Sequence, residues 1–181
     1  HGSWRWHLAE NKDMKTIIER NIKAIRLRPS VGQGTATTAV RVRDGVTCDI
    51  EDGQWKLVAD EGPGDGGAGL GPDPGVFGRA ALGTCLAMGY VMWAAHLDVP
   101  IDSVEVVVEA GYDARGMFGV DESVAPGWTG LRYTVKIASP ADEAKVREMI
   151  DYADRLSPLL DDFSRPIPVE RVLHIAQSVR E

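Results

Sequence analysis

The sequence predicts an α+β fold with largely antiparallel sheets and one long, buried central helix. The first observation is the order of the predicted elements: three short strands, an apolar helix, two long strands, a helix pair and a last strand. This order lacks the regular strand–helix alternation of a doubly wound fold. The second is the central helix, which has no acidic residue between Asp73 and Asp98. A helix that is apolar on all sides must be covered by a core or by a second chain.

Residues 13–27 are predicted to form an amphipathic helix, because isoleucines recur there at helical spacing (Ile17, Ile18, Ile22 and Ile25). The first three residues, His-Gly-Ser, are typical of the remnant of an expression tag. We therefore expect residues 1–13 to be a tag or a disordered leader and residues 14–181 to form a single domain, with the native chain starting at Met14 or shortly before.

Three short strands are predicted next, over residues 37–42, 46–50 and 55–59. Asp44-Gly45 and Asp52-Gly53 separate them. Asp-Gly is a favoured dipeptide of tight hairpin turns, because glycine adopts positive φ angles without strain. The three strands are therefore expected to be joined by hairpins.

A glycine-rich loop, residues 62–71, follows the third strand. Its segment 64–69, Gly-Asp-Gly-Gly-Ala-Gly, matches the GxGxxG pattern of dinucleotide-binding proteins. The context does not fit that function, because the last glycine lies several residues before the next helix and no acidic residue follows about twenty positions later to bind a ribose. We therefore expect a mobile loop that binds no nucleotide.

The central helix has a strong start signal. Asp73 can accept hydrogen bonds from the free N–H groups of the first turn, and Pro74 stands where its missing N–H is not needed. The helix is expected to end near His96. Its apolar run, residues 80–95, is shorter than a bilayer span, so no membrane segment is predicted.

Two long strands and a helix pair are predicted after the central helix. Apolar residues alternate in both strands (Val104, Val106 and Val108, then Leu131, Tyr133, Val135 and Ile137). Residues 139–142, Ser-Pro-Ala-Asp, are interpreted as a capping box that starts a helix with proline at its first position. Ser157-Pro158 interrupts that helix and starts a short one to Phe163. A final strand is predicted at about residues 169–175.

The composition excludes several classes of function. The net charge of −7 argues against binding to nucleic acids or to anionic membranes. Two cysteines in 181 residues do not form a disulfide framework, which favours a reducing, cytoplasmic setting. The histidines and cysteines have no metal-ligand spacing, so no metal site is predicted and no cofactor is implied.

Cys85 is the residue with the clearest chemical potential. It lies about three turns from the start of the central helix, beyond the reach of the helix dipole. A buried cysteine is most often a packing residue, and a reactive one here needs a cation from elsewhere in the fold or from a second chain. Leu82, Met88 and Met92 lie on the same side of the helix and would line an apolar pocket around the thiol.

Three features follow one another along the chain. Residues 71–75 are Gly-Pro-Asp-Pro-Gly, Cys85 follows eleven residues after Pro74, and Ser157-Pro158 comes after a later helix. Together they resemble the OsmC/Ohr superfamily, the osmotically inducible and organic hydroperoxide resistance proteins, over roughly residues 37–175. The resemblance implies an intertwined homodimer in which a long helix packs against each strongly bent antiparallel sheet.

The resemblance also implies a chemistry. The family's peroxidases use a first cysteine, which attacks an organic hydroperoxide as a thiolate. A second cysteine, followed by proline, closes a disulfide that an external dithiol then reduces. An arginine near the first hairpin and a glutamate on the central helix activate the first thiolate.

This chain has only some of the residues that the family's peroxidases use. Cys85 matches the first cysteine, whereas Ser157 replaces the second and cannot form a disulfide. Gly75 replaces the glutamate. Arg43 resembles the activating arginine, although a plain hairpin turn explains that position equally well, and Cys48 on the second strand is a candidate substitute for the missing thiol.

Two functional hypotheses remain open. The first is a peroxidase that uses Cys85 alone, reduces small hydroperoxides and relies on an external thiol reductant. The second is a non-redox homodimer whose interface cavity binds a small apolar molecule, with Cys85 in its lining. The missing cysteine and glutamate favour the second hypothesis, and the family resemblance favours the first.

Overall fold

The computed structural model describes residues 12–177, and most of the elements in that range follow the predicted order. The elements are α1 (Lys12–Leu27), β1 (Ala39–Asp44), β2 (Thr47–Asp52), β3 (Trp55–Ala59), α2 (Pro74–His96), β4 (Ser103–Tyr112), α3 (Ala114–Met117), β5 (Trp128–Ala138), α4 (Glu143–Arg155) and α5 (Pro158–Ser164). Residues 1–11 of the expected leader lie outside the described residues, and α1 begins at Lys12.

The first three strands form an antiparallel sheet in the order β1-β2-β3. Gly45 and Gly53 in the two connecting turns have φ angles of +54°, which confirms the predicted Asp-Gly turns. One face of this sheet is apolar, and within the single chain its large side chains are exposed: Val40, Val42, Trp55 and Leu57.

The core of the domain lies between α2, α4 and the β4–β5 hairpin. One stripe of α2 is almost fully buried there, formed by Leu82, Leu86, Tyr90 and Ala94 at intervals of four residues. The opposite side of α2 is open to solvent, and the Met88 side chain there is 65 % exposed. Within the single chain, the predicted all-round burial of this helix is therefore met on one side only.

The start of α2 is as predicted. The Asp73 carboxylate accepts a hydrogen bond from the Val76 N–H at 3.1 Å, and Pro74 is the first helical residue. By length and composition alone, α2 could also cross a membrane. It packs against α1, α4, α5 and β4, however, which is the behaviour of a core helix.

The glycine-rich loop is folded around the buried carboxylate of Asp60, which is 3 % exposed. Asp60 accepts hydrogen bonds from three backbone N–H groups and one hydroxyl, donated by Glu61, Ala68, Leu70 and Thr47. Gly67 packs so closely that a β-carbon there would overlap the Glu61 carbonyl. The sequence pattern did not reveal these contacts, in which the acidic residue after β3 supplies the acceptors and glycine permits the close approach.

The predicted capping box at residues 139–142 is wrong. The Ser139 hydroxyl donates to the Pro100 carbonyl at 2.5 Å and accepts from the Ala141 N–H at 3.0 Å. Because this hydroxyl is engaged at the end of β5, it does not cap a helix, and α4 starts at Glu143 instead.

The predicted final strand is also wrong. Residues 165–177 have no regular secondary structure, and apolar side chains in this segment, such as Val169 and Ile175, are exposed. An apolar pattern becomes a strand only beside another strand whose backbone groups are free, and within residues 12–177 this segment pairs with none. The short helix α3 between β4 and β5 was not predicted.

We expect Asp60→Asn to destabilise the protein at neutral pH. The backbone N–H groups around the carboxyl, first of all that of Leu70, lower the pKa of Asp60 because they stabilise its charged form. With a lowered pKa, this stabilisation is present above the ordinary carboxyl pKa and is lost as the pH falls through the lowered value. The difference in thermal unfolding midpoint between wild type and variant should therefore shrink below about pH 4.

The matched control is Asp65→Asn, an exposed carboxylate in the same loop. This control should leave the midpoint unchanged at neutral pH. A difference between wild type and Asp60→Asn that stays constant down to low pH would contradict the assignment.

Candidate functional site

Cys85 and Ser157 are 72 residues apart in the sequence and meet in the folded chain, with Cys85 Sγ at 3.5 Å from Ser157 Oγ. Cys85 is half-buried at the edge of the buried stripe of α2, and Ser157 is buried at the N-cap of α5. The serine hydroxyl therefore lies where a second thiol would have to lie in order to reach Cys85.

The backbone around Ser157 fixes its hydroxyl. The Ser157 Oγ accepts a hydrogen bond from the Leu160 N–H at 3.4 Å, and the Ser157 N–H donates to the Asp154 carbonyl at 3.2 Å. Because Leu160 uses an acceptor position of the oxygen, the hydroxyl hydrogen can point at the Cys85 sulfur. Chemically, this hydroxyl can stabilise a thiolate by donating a hydrogen bond, but it cannot form a disulfide.

The Asp154 carboxylate, close to Ser157 in the sequence, links α4 to α2 and to β5 by hydrogen bonds. Asp154 on α4 accepts hydrogen bonds from the Tyr90 hydroxyl of α2 at 2.6 Å and from the Tyr133 hydroxyl of β5 at 2.8 Å. Since Asp154 precedes Ser157 by three residues, this cluster sets the distance between Ser157 and α2. No sequence pattern identified this cluster, although Tyr90 is the single tyrosine of α2 and has apolar residues around it.

Both tyrosines are held in the neutral form. Burial, together with the hydrogen bond to Asp154, raises the pKa of Tyr133 to about 12 and raises the pKa of Tyr90 further still. A raised pKa means that this stabilisation is fully present below the ordinary tyrosine pKa and is lost as the pH rises through the folded value. The cluster therefore remains intact throughout the neutral range.

The two predicted partners of Cys85 in the first hairpin lie on opposite faces of the three-stranded sheet. Cys48 pairs directly with Val42 and shares its apolar face. Arg43 lies on the polar face, where its guanidinium is 3.5 Å from the Asp49 carboxylate. Within the described residues of the single chain, both cysteines are free and neither hairpin residue is in hydrogen-bond contact with Cys85.

The three residues predicted to line a pocket around Cys85 occupy two environments. Leu82 is 1 % exposed and belongs to the core, whereas Met88 and Met92 lie on the open side of α2. Beside the thiol there is thus an open apolar face with two methionines. This face becomes a pocket only when a second surface covers it.

The space beside Gly75, where the resemblance implies a glutamate, is bordered by the Asp73 carboxylate at 2.8 Å from the position of a β-carbon and by the Arg79 guanidinium. A β-carbon at Gly75 would lie 3.1 Å from the Arg79 guanidinium, so Arg79 extends toward the start of α2 and away from Cys85. No group of three or more histidine, cysteine or carboxylate side chains within residues 12–177 is arranged to hold a metal ion.

The fold and the site define an α+β protein whose long core helix carries a thiol at the edge of an open apolar face. A sequence profile of the OsmC-like protein family matches residues 64–171, more than half of the chain. The chain therefore belongs to the OsmC-like family, as the sequence motifs predicted.

Solved structures show the same fold. An OsmC-like protein from Mycoplasma pneumoniae superposes with a TM-score of 0.63 at 15 % identity, covering 73 % of this chain and 89 % of that one. An organic hydroperoxide resistance protein OsmC from Legionella pneumophila gives 0.53 at 16 % identity, covering 71 % and 88 %. An OsmC-like protein from Vibrio cholerae gives 0.51 at 14 % identity, covering 71 % and 93 %. A comparison with curated proteins gave no match.

We expect Tyr90→Phe to destabilise the protein by about 1–3 kcal/mol, because it removes one of two hydroxyl donors from the Asp154 carboxylate in the interior. Urea unfolding followed by circular dichroism measures this change. Tyr112→Phe, at an exposed position, is the matched control and should change the free energy of unfolding by less than about 0.5 kcal/mol. Equal stability of the two variants would show that the cluster does not hold α4 in place.

Proposed function

We propose that this protein is a one-cysteine, thiol-dependent reductase of organic hydroperoxides. The observation that carries the proposal is the Cys85–Ser157 pair, in which a partly accessible thiol meets a hydroxyl that can donate a hydrogen bond to its sulfur. Membership of the OsmC-like family supports it, since the relative from Legionella pneumophila is described as an organic hydroperoxide resistance protein. A reducing, cytoplasmic setting would keep the thiol available.

In the proposed reaction, the Cys85 thiolate attacks one oxygen of the hydroperoxide. A sulfur–oxygen bond forms as the oxygen–oxygen bond breaks, and the departing alkoxide takes a proton from water to become an alcohol. The sulfur is oxidised to a sulfenic acid while the peroxide is reduced. The Ser157 hydroxyl can hydrogen-bond to the sulfur through this step.

The catalytic cycle then depends on an external thiol. With a serine at position 157, the sulfenic acid condenses with an external thiol and releases water, which gives a mixed disulfide. A second thiol, or the second group of a dithiol, then attacks the mixed disulfide at the sulfur of the external thiol. Cys85 is released as a free thiol, and the reductant leaves as a disulfide.

We further propose that the active form is a homodimer. Two apolar surfaces of the single chain have no cover: the outer side of α2 beside Cys85, and the apolar face of the three-stranded sheet. Apolar patches of this kind mark interaction sites, and a two-fold pair of chains can cover each with the other. In such a dimer, the second chain would close a small apolar pocket over Met88 and Met92. It would also place its own residues beside the Cys85 thiol.

The second candidate function is the binding of a small apolar molecule without redox chemistry. It is favoured by the arrangement around Gly75 and by the ion pair of Arg43 with Asp49, because both leave Cys85 without a charged partner in the described part of the single chain. A thiol without a cation stays largely protonated near neutral pH. In that case Cys85 would be a lining residue of the same dimer pocket.

Limited oxidation separates the two functions. We expect one equivalent of cumene hydroperoxide to give a sulfenic acid at Cys85, trapped by dimedone and detected by mass spectrometry, with no intramolecular disulfide. Ser157→Cys should instead form a disulfide between Cys85 and the introduced thiol, because the replaced hydroxyl lies 3.5 Å from the sulfur. Excess peroxide should over-oxidise the wild type and spare this variant.

The controls are Cys85→Ser, which should abolish trapping, and Cys48→Ser, which should leave it unchanged. A disulfide between Cys48 and Cys85 in the wild type would overturn the one-cysteine mechanism in favour of a rewired two-cysteine enzyme. No reaction of Cys85 with the hydroperoxide would support the binding function instead.

The dimer is tested on neighbouring residues that lie on opposite faces of β3. Sedimentation velocity should give a dimer for the wild type, a shift toward monomer for Leu57→Glu on the apolar face, and a dimer for Lys56→Glu on the polar face. The reason is that a charge on the apolar face would be desolvated at the interface. A monomeric wild type at micromolar concentration would refute the dimer.

A further inference from the structure

A concave site lies at the C-terminal end of α2, formed with α1 and α4. It is a groove of about 650 Å³, and one of its walls is a single face of α1, where lining residues recur at intervals of three and four between Glu19 and Leu27. His96 of α2 and Tyr152 of α4 also line it. His96 is eleven residues after Cys85, about 16 Å along the helix axis, so the groove is separate from the thiol site. The α1 wall lies outside residues 64–171, which match the family profile.

The charges along this wall favour an anion. Lys23 and Arg26 both line the groove, against the single carboxylate of Glu19, in a chain whose net charge is −7. Within residues 12–177, neither cation forms an ion pair with a carboxylate. A local pair of cations in an acidic protein attracts negatively charged ligands.

His96 forms the α2 wall of the groove. His96 Nδ1 is shielded from solvent and has no hydrogen-bond partner in the described part of the chain. The imidazole packs against the edge of Trp93, with ring centroids 5.6 Å apart. Since Nδ1 is shielded, a ligand in the groove would meet the accessible part of the imidazole ring, which the contact with Trp93 holds in place.

The body of the groove is an aromatic surface held in place by its neighbours. The Tyr152 ring packs edge-on against Trp93 at 5.3 Å, and the Arg155 guanidinium lies 5.6 Å from its centroid. Ile22 adds aliphatic surface from α1. A fixed aromatic wall favours a flat apolar ligand, because little side-chain freedom is lost on binding.

We infer that this groove binds a small organic anion with a planar apolar body. Its acidic group contacts Lys23 and Arg26, its body lies against Tyr152 and Ile22, and its edge reaches the His96 ring. The volume is in the range of small-molecule sites. This site does not depend on the proposed redox activity of Cys85.

The test uses 8-anilinonaphthalene-1-sulfonate, an aromatic sulfonate, and N-phenyl-1-naphthylamine, which has the same kind of aromatic body without the charge. In fluorescence titrations, the double variant Lys23→Gln/Arg26→Gln should weaken binding of the sulfonate by roughly three- to tenfold and leave binding of the neutral amine unchanged. In proton NMR spectra, the imidazole signal of His96 is identified by its absence from the His96→Gln variant. This signal should shift when the sulfonate is added to the wild type.

The charge-matched control is Arg132→Gln/Lys136→Gln, which removes two cations from β5, where they pair with Glu109 and Glu105. It should bind the sulfonate like the wild type, and so should Cys85→Ser, whatever the outcome of the peroxide experiment. Equal weakening in both double variants, or unchanged binding in Lys23→Gln/Arg26→Gln, would overturn the assignment.

Discussion

The Asp154 carboxylate accepts one hydrogen bond from Tyr90 of α2 and another from Tyr133 of β5, and the placement of the C-terminal helices depends on this contact. It lies at the buried stripe of α2, beside the apolar residues through which α4 packs on that helix. Two directed hydrogen bonds to one carboxylate fix its position, because each has a narrow range of length and angle. The short segment that follows then carries Ser157 to the Cys85 sulfur.

The same arrangement sets what surrounds the Cys85 thiol. Ser157 has contacts of its own at this position. Its hydroxyl oxygen caps α5 by accepting a hydrogen bond from the Leu160 N–H, and the same oxygen contacts the Cys85 sulfur. A cysteine would have to give up part of that cap, because sulfur is a weak acceptor. The Ser157 hydroxyl therefore contacts both the start of α5 and the Cys85 sulfur.

Exposed apolar surface is the second constraint on this protein. The outer side of α2 and one face of the three-stranded sheet both expose large apolar side chains in the single chain, and the thiol lies at the border of the first. The acidic groups act elsewhere, as Asp60 does in gathering the backbone N–H groups of a glycine-rich loop. The sequence of that loop matches a nucleotide-binding pattern, but its backbone N–H groups donate hydrogen bonds to the Asp60 carboxylate of the chain itself.

The sequence by itself determined the local elements and the family. Periodicity placed α1 and the strands, Asp-Gly placed both turns, and Asp73-Pro74 placed the start of α2, because these signals act between residues a few positions apart. Only the tertiary structure decided that Ser157 touches Cys85, that Arg43 and Cys48 lie on opposite faces, and that Tyr90 and Asp154 meet. It also decided against the cap at Ser139 and the strand at residues 169–175, because a hydroxyl or a strand edge takes whichever partner the fold brings near, and no local pattern records that partner.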